Sequence, residues 1–364
     1  MSDLLQTPLH DWHAAHGGRM VEFGGWHMPV QYRSITEEHH AVRRAAGLFD
    51  IAHMGRLRFS GPDSERFLDY LLTNDVASLK DCQVRYSLIC NEAGGVLDDV
   101  LVTKFDGWHL LVVNASNRLK IVDWIERQRS GFDVKVEDMS ADWSMLALQG
   151  PKSVELLSSL IDADLAGMKY YFSCGADVLG VRGIVSRTGY TGEDGFEVIA
   201  SREHGVKLWE ALIERGASVG LLPCGLGCRD TLRLEAAMPL YGHELSESID
   251  PISAGLSFAV KPQAKDFIGK AALLAKPQPP AKQRVGLVLA GRRIAREGAQ
   301  VLAGQVDIGE VTSGTFSPTL EKPIAMAYIE RAAAIFNANI EVDIRGQSER
   351  ATIVKLPFYR RQHS

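Results

Sequence analysis

The sequence predicts an α+β protein: two interleaved antiparallel α+β units followed by a small C-terminal β-barrel. Three observations carry this expectation. A strand, a Gly-Pro step and a helix occur twice in the same order, a proline-rich break interrupts all periodicity near residue 275, and short glycine-punctuated strands follow the break. At 364 residues the chain is longer than one core typically organises. The expected division is residues 1–274, a linker over 275–283 and the barrel over 284–364.

Each element has a local reason. RLRFSGPDSERFLDYLL, from Arg56, and MLALQGPKSVELLSSLI, from Met145, both run from an apolar strand into Gly-Pro and then a helical apolar face. Proline suits a first helical turn because its missing amide has no partner there in any case. After the first copy, YSLIC and VLDDVLV read as a hairpin, followed by a helix over Asn117–Arg129. After the second, VRGIVSR and GFEVIA read as another hairpin, again followed by a helix (Glu203–Arg215, stopped at Gly216). A further helix is expected over Thr36–Ala46, and one over Pro223–Ala236 with the proline near its start. Beyond AKPQPPAKQR, the runs VGLVL, QVDIGEVTSGTFSPTL, IAMAYI, IEVDIRG and ATIVKL are barrel strands.

The repeat aligns acidic groups. Asp98-Asp99 on the first hairpin and Glu197 on the second fall at comparable places, so two units facing one another set carboxylates around a shared cavity. Successive strand side chains point to opposite faces, and a buried carboxylate is costly unless something pairs with it. Two readings stand side by side for Asp98-Asp99: an edge strand with one solvated carboxylate, or a covered strand presenting one carboxylate to a ligand. SRTGYTGEDGFE (Ser186–Glu197) is equally a solvated glycine loop or a loop wrapped round a ligand, with Tyr190 stacking on a ring. Arg229 and Arg233 lie one turn apart, as surface ion pairs or as site residues.

Several function classes are excluded. A net charge of −5 gives no footprint for nucleic acid or an acidic membrane, and no apolar run is long enough to span a bilayer. The N-terminus reads as neither a secretory signal nor a transit peptide. Five cysteines, an odd number, point to reduced thiols and a cytoplasmic setting. Cys224 and Cys228 have helical spacing with no second ligand pair, and His10, His13 and His16 read as solvated, so no metal is expected. Walker, GxGxxG and GxSxG patterns do not occur.

Seven runs taken in order resemble one family, the aminomethyltransferase or T-protein of the glycine cleavage system. They are VEFGGWHMPVQY (Val21–Tyr32), HHAVRRAAGLFDIAHMG (His39–Gly55), NEAGGVLDDVLV (from Asn91), SRTGYTGEDGFEV (from Ser186), CGLGCRDTLRLEAAMPLYGHEL (Cys224–Leu245), GRRIAREGAQVL (Gly291–Leu302) and VTSGTFSPTLEKPIAMAYI (Val311–Ile329). Two residues depart from the family: Ala52 where serine is usual, and Cys228 where alanine is usual. The resemblance implies three domains in a cloverleaf around a folate cavity, with tetrahydrofolate as co-substrate and no metal. It implies transfer of a methylene group from an aminomethylated lipoyl arm of H-protein, giving ammonia, 5,10-methylenetetrahydrofolate and the dihydrolipoyl arm. It makes Asp99 the catalytic carboxylate and Asp98 the structural one. It assigns folate binding to Tyr86, Asn114, Tyr190, Glu197, Arg229 and Arg360. It implies a monomer outside the complex with H-protein. A folate-dependent demethylase of the same fold is the rival reading.

Overall fold

The computed structural model describes residues 4–361; residues 1–3, where the N-terminal stretch read above begins, and 362–364 lie outside the described residues. Two sheets form the body. The first has five strands in the order Val84–Cys90, Val96–Phe105, Trp108–Val113, Gly55–Ser60 and Lys135–Asp138. The second has seven, in the order Ile161–Asp162, Ser173–Val178, Val181–Ser186, Gly195–Ser201, Trp143–Gln149, Gly47–Asp50 and Leu222–Pro223. The units interleave because Gly47–Asp50, which precedes the whole first sheet in the chain, pairs with Trp143–Gln149 of the second. All pairs in the two sheets are antiparallel except Leu222–Pro223, which runs parallel to Gly47–Leu48. Pro223 thus ends a sheet edge, and the helix once expected to include it spans Leu226–Glu235.

Each sheet is covered on one face by its own helices. Phe67, Leu68 and Leu71 of helix Ser64–Leu71, with Ile121, Trp124 and Ile125 of helix Arg118–Gln128, pack on Leu57, Val100, Val102 and Leu111. Leu208, Trp209 and Leu212 of helix Arg202–Gly216 do the same over Leu146, Leu148 and Val198. The other faces meet each other: Leu110 and Val112 of the first sheet share a core with Met145, Ala147 and Ile199 of the second. Each such buried side chain contributes on the order of 1.5–3 kcal/mol, so this layer fixes how the sheets face. Helix Ile35–Arg44 starts at Ser34, whose Oγ accepts the Glu37 amide. The C-terminal strands close into a six-stranded barrel, including a short strand, Gln300–Ala303, that alternation alone did not reveal.

The internal repeat is real but its register differs from the expected one. The strand order Val84–Cys90, Val96–Phe105, Trp108–Val113, Gly55–Ser60 corresponds to Ser173–Val178, Val181–Ser186, Gly195–Ser201, Trp143–Gln149. The strand WHLLVV (Trp108–Val113) adds a third member to the expected hairpin, so the Asp98-Asp99 strand corresponds to Val181–Ser186 and not to the strand of Glu197. The carboxylates reach one cavity from non-equivalent strands.

The Asp98-Asp99 strand is central, which removes the edge-strand reading. Its turn is tight against the segment after residue 245. A Cβ on Gly95 would stand 1.6 Å from the Glu247 carbonyl oxygen, so only glycine fits there. The next amide, on Val96, donates to the carbonyls of Ser246 and Ile249.

Candidate active site

The two sheets, helix Leu226–Glu235 and the barrel enclose a cavity of about 870 Å³. Strand alternation sorts the aspartates. Asp98 shares parity with Val100 and Val102, the helix-covered face, and is fully buried. Its carboxylate accepts the Asn114 amide at 3.0 Å, Asn114 Nδ2 at 2.8 Å and Asn117 Nδ2 at 2.6 Å. Asp99 faces the cavity. Tyr86 Oη donates to its Oδ2 at 3.1 Å and Asn114 Nδ2 to its Oδ1 at 2.8 Å. Burial raises both carboxyls above the ordinary range, and the charge on Asp99 raises Asp98 further, against the pull of the asparagine donors.

Glu197 enters from the other sheet. Thr188 Oγ1 donates to its Oε2 at 2.6 Å, and its remaining oxygen capacity is free for a ligand. Burial raises its carboxyl, opposed by the Thr188 bond and by Arg229. The Arg229 guanidinium lies 4.8 Å from the centre of the Tyr190 ring, and its Nη1 is sealed from solvent without a partner. Tyr190 Oη donates to the Pro239 carbonyl, which sets the ring against the wall. Tyr86, Asp99, Asn114, Tyr190, Glu197 and Arg229 therefore line one cavity.

Arg360 does not join them. Its residue is exposed, and the half-buried neighbour Arg361 stands 3.3 Å from Asp194 and over the Tyr170 ring at 5.4 Å. Just before this point the Tyr359 amide donates to the Glu235 carbonyl, and residue 360 is exposed.

Three further wall residues complete the cavity, of which only Arg233 was marked by the sequence, as a surface ion pair or a site residue. Arg233 is buried, not surface-paired: it donates to Asp230 and Glu244 and, through Nη2, to Ser313 of the barrel. Tyr171 sits at φ 62°, a left-handed conformation rare for an aromatic residue. It is held there by bonds to both sheets, its amide to the Arg187 carbonyl and its carbonyl to the Val84 amide. His53 is the third, on the turn between Gly47–Asp50 and Gly55–Ser60. A lone histidine or tyrosine in an apolar stretch carries no spacing signal, so periodicity could not find the last two.

Glu38, Cys224 and Cys228 bring one ligand atom each within 4.8 Å of one another. The Glu38 oxygens are already spent on the amides of Tyr32, Arg33 and Gly225, which ties the start of helix Leu226–Glu235 to the preceding hairpin.

Glu197→Gln tests the second carboxylate. The substitution replaces one acceptor by a donor, which then opposes a ligand N–H. For the folate that the sequence resemblance implies, affinity for folinic acid, measured calorimetrically, is expected to fall by about 2–3 kcal/mol, the range for a bond to a charged group plus the mismatch. Unchanged affinity would remove Glu197 from the site.

Comparison with known proteins places this geometry. The GCVT N-terminal domain family matches residues 9–264, and the glycine cleavage T-protein C-terminal barrel domain matches residues 282–360. An aminomethyltransferase of Streptomyces coelicolor is 48% identical with 99% of each chain covered, and one of Desulfitobacterium hafniense is 47% identical over the full length of both. The crystal structure of the glycine cleavage system aminomethyltransferase T from Bartonella henselae superposes with a TM-score of 0.92 at 34% identity, covering 98% of each chain. The chain belongs to the glycine cleavage T-protein family of aminomethyltransferases.

Proposed function

We propose that the cavity binds tetrahydrofolate and that the donor is an aminomethyl group on the lipoyl arm of H-protein. One observation carries this: two buried carboxylates from different sheets, Asp99 and Glu197, face one cavity with aromatic walls. Glu197 accepts the side-by-side 2-amino and ring N–H donors of the pterin, a pairing suited to a carboxylate. Tyr86 and Tyr190 pack along the rings. Arg229, with Nη1 unpartnered, takes a carboxylate or carbonyl of the folate. Asp99, fixed by Tyr86 and Asn114, lies beside N5 and N10. Its charge stabilises the positive charge that develops there and it accepts a proton as the methylene bridge closes. The sulfur leaves as the dihydrolipoyl thiol, and the donor nitrogen leaves as ammonia.

No helix of the described residues is long and apolar enough to cross a membrane. We read the chain as a cytoplasmic monomer that meets H-protein transiently, with the body over residues 1–274 and the barrel from residue 284. The test is donor choice. Turnover is expected to depend saturably on aminomethylated H-protein and to survive metal chelation. Demethylation of a small sulfonium or methylamine donor, with no turnover of aminomethylated H-protein, would replace this reading with a folate-dependent demethylase.

A further inference from the structure

His53 is a buried imidazole without a protein partner on the wall of the cavity. The residue is 3% exposed and neither ring nitrogen bonds to another described residue. Nδ1 is sealed from solvent without a partner, and the residue lines the cavity. Leaving a buried polar atom unpaired is costly, and a passive wall position would avoid that cost by carrying an apolar side chain.

The turn that carries His53 is held from both sides by buried charges. Arg56 Nη1 donates to the carbonyls of Ala52 at 2.9 Å and Met54 at 2.6 Å, the residues flanking His53. Asp50 Oδ1 accepts the Ala52 amide at 2.9 Å while Oδ2 is bonded to His13 Nε2 at 2.9 Å. The ring itself is fixed edge-on by Phe23, with centroids 5.9 Å apart, and by Trp26 at 6.5 Å. A side chain held this firmly, yet left without a partner, is positioned for a ligand.

Strand register locates it relative to Asp99. Leu101 pairs with Val112 and Gly55 with Val113. Continuing these registers aligns Asp99, Asn114 and Met54 across the sheet, so the backbone beside His53 lies two strand spacings, about 10 Å, from that of Asp99. The imidazole is on the side away from Tyr86, whose strand flanks Asp99 on its other edge. Phe23, against which the ring packs, both lines the cavity and is 39% exposed, so His53 faces the part of the cavity nearer solvent.

Burial keeps the imidazole uncharged. Burial, with Arg229 and Arg56 adding repulsion against the opposing pull of Asp50, lowers the imidazole to about 4. The ring is therefore neutral at physiological pH. With no acceptor at the sealed Nδ1, the cheaper tautomer carries its proton on Nε2, as a donor into the cavity.

We infer that His53 donates this hydrogen bond to the sulfur of the aminomethyl donor as the C–S bond breaks. The inference rests on the proposed donor. In that step the C–S electron pair goes to sulfur, giving a thiolate, and the amine lone pair forms the C=N bond of the released methylene iminium. Asp99 supplies the negative charge facing the iminium; His53 supplies the donor facing the thiolate. Separated opposite charges are thus each met by a fixed partner.

The test is single-turnover transfer from aminomethylated H-protein at saturating tetrahydrofolate. His53→Leu is expected to slow transfer at least roughly tenfold, the scale of losing one donor to a developing charge, with folinic acid affinity within about twofold of the parent. His53→Gln, which keeps an N–H donor, recovers part of the rate, and added imidazole restores transfer to His53→Gly. Parental transfer by His53→Leu, loss of folate affinity in step with rate, or no recovery by glutamine or imidazole would each overturn the assignment. A parent protein that binds folinic acid but never releases ammonia from aminomethylated H-protein would instead overturn the donor reading, and this role with it.

Discussion

Asp99→Asn is expected to lower methylene transfer by at least roughly a hundredfold, the scale of a group acting in acid–base and charge stabilisation. The amide keeps the size of the carboxylate and still meets one of its two donors. Tyr86 Oη and Asn114 Nδ2 both donate to Asp99, so the new NH2 faces one of them as a second donor. On the proposed folate reading the loss is one of charge and orientation at the folate nitrogens, and folinic acid is expected to remain bound. Asp98→Asn behaves differently. Asp98 spends its oxygens on Asn114 and Asn117, away from the cavity, so this variant costs stability more than chemistry. Single-turnover transfer and a denaturant titration, run on both variants, check the division. A greater loss of transfer in Asp98→Asn would reverse the assignment of faces. Because burial raises the Asp99 carboxyl, transfer that needs the carboxylate falls on acidification before an ordinary aspartate would protonate.

Glu235→Ala is expected to be the most destabilising of these changes. This carboxylate is fully buried at the end of helix Leu226–Glu235 and joins three parts of the chain. Arg43 Nη2 donates to Oε2 at 2.8 Å, Thr319 Oγ1 at 2.8 Å, and His39 Nε2 stands 3.3 Å away. Ser317 Oγ and the Thr319 amide of the barrel close on Oε1. Removing the carboxylate strips Arg43 Nη2 and the barrel donors of their buried partner, while Arg43 Nη1 keeps Glu193 and the Thr191 carbonyl, a loss of about 3 kcal/mol, the lower end for a broken buried pair. Burial opposes the charge, but His39, Arg43 and Ser317 outweigh it and pull the carboxyl down to about 2. A depressed acid stabilises the fold above its unfolded value near 4.5 and loses that contribution as pH falls toward 2. Acid titrations of stability should therefore show this component in the parent and lack it in Glu235→Gln. Equal acid sensitivity in both would remove the carboxylate from the interface.

Much of this arrangement was legible in the residues, and particular features mark where it was not. The repeated strand–Gly-Pro–helix pattern announced two related units because apolar period and turn chemistry agree in each. Strand alternation put Asp98 and Asp99 on opposite faces once Val96–Phe105 was read as one strand, and the choice of Asp99 for the site came from the resemblance to the family. The failure was WHLLVV, an apolar run of six residues beginning two residues after the preceding strand. Short apolar runs do not declare their partner, and omitting this one shifted the correspondence of the two hairpins by a strand. Arg360 and Arg361 give the same local signal, so alternation does not order them; in the structure Arg360 is exposed and Arg361 stands beside Asp194. His53 and Tyr171 owe their positions to register and backbone conformation, neither of which leaves a periodic trace. The Glu235 network joins residues 39, 43, 235, 317 and 319, a set brought together by packing of the barrel on the body.

The most direct measurement is a single turnover of aminomethylated H-protein with and without tetrahydrofolate, following ammonia and methylenetetrahydrofolate together. Fixed carboxylates acting on folate nitrogens predict rapid ammonia release only when tetrahydrofolate is present, matched one-to-one by methylenetetrahydrofolate. Ammonia released equally fast without tetrahydrofolate, or released with it but without methylenetetrahydrofolate, would contradict the account.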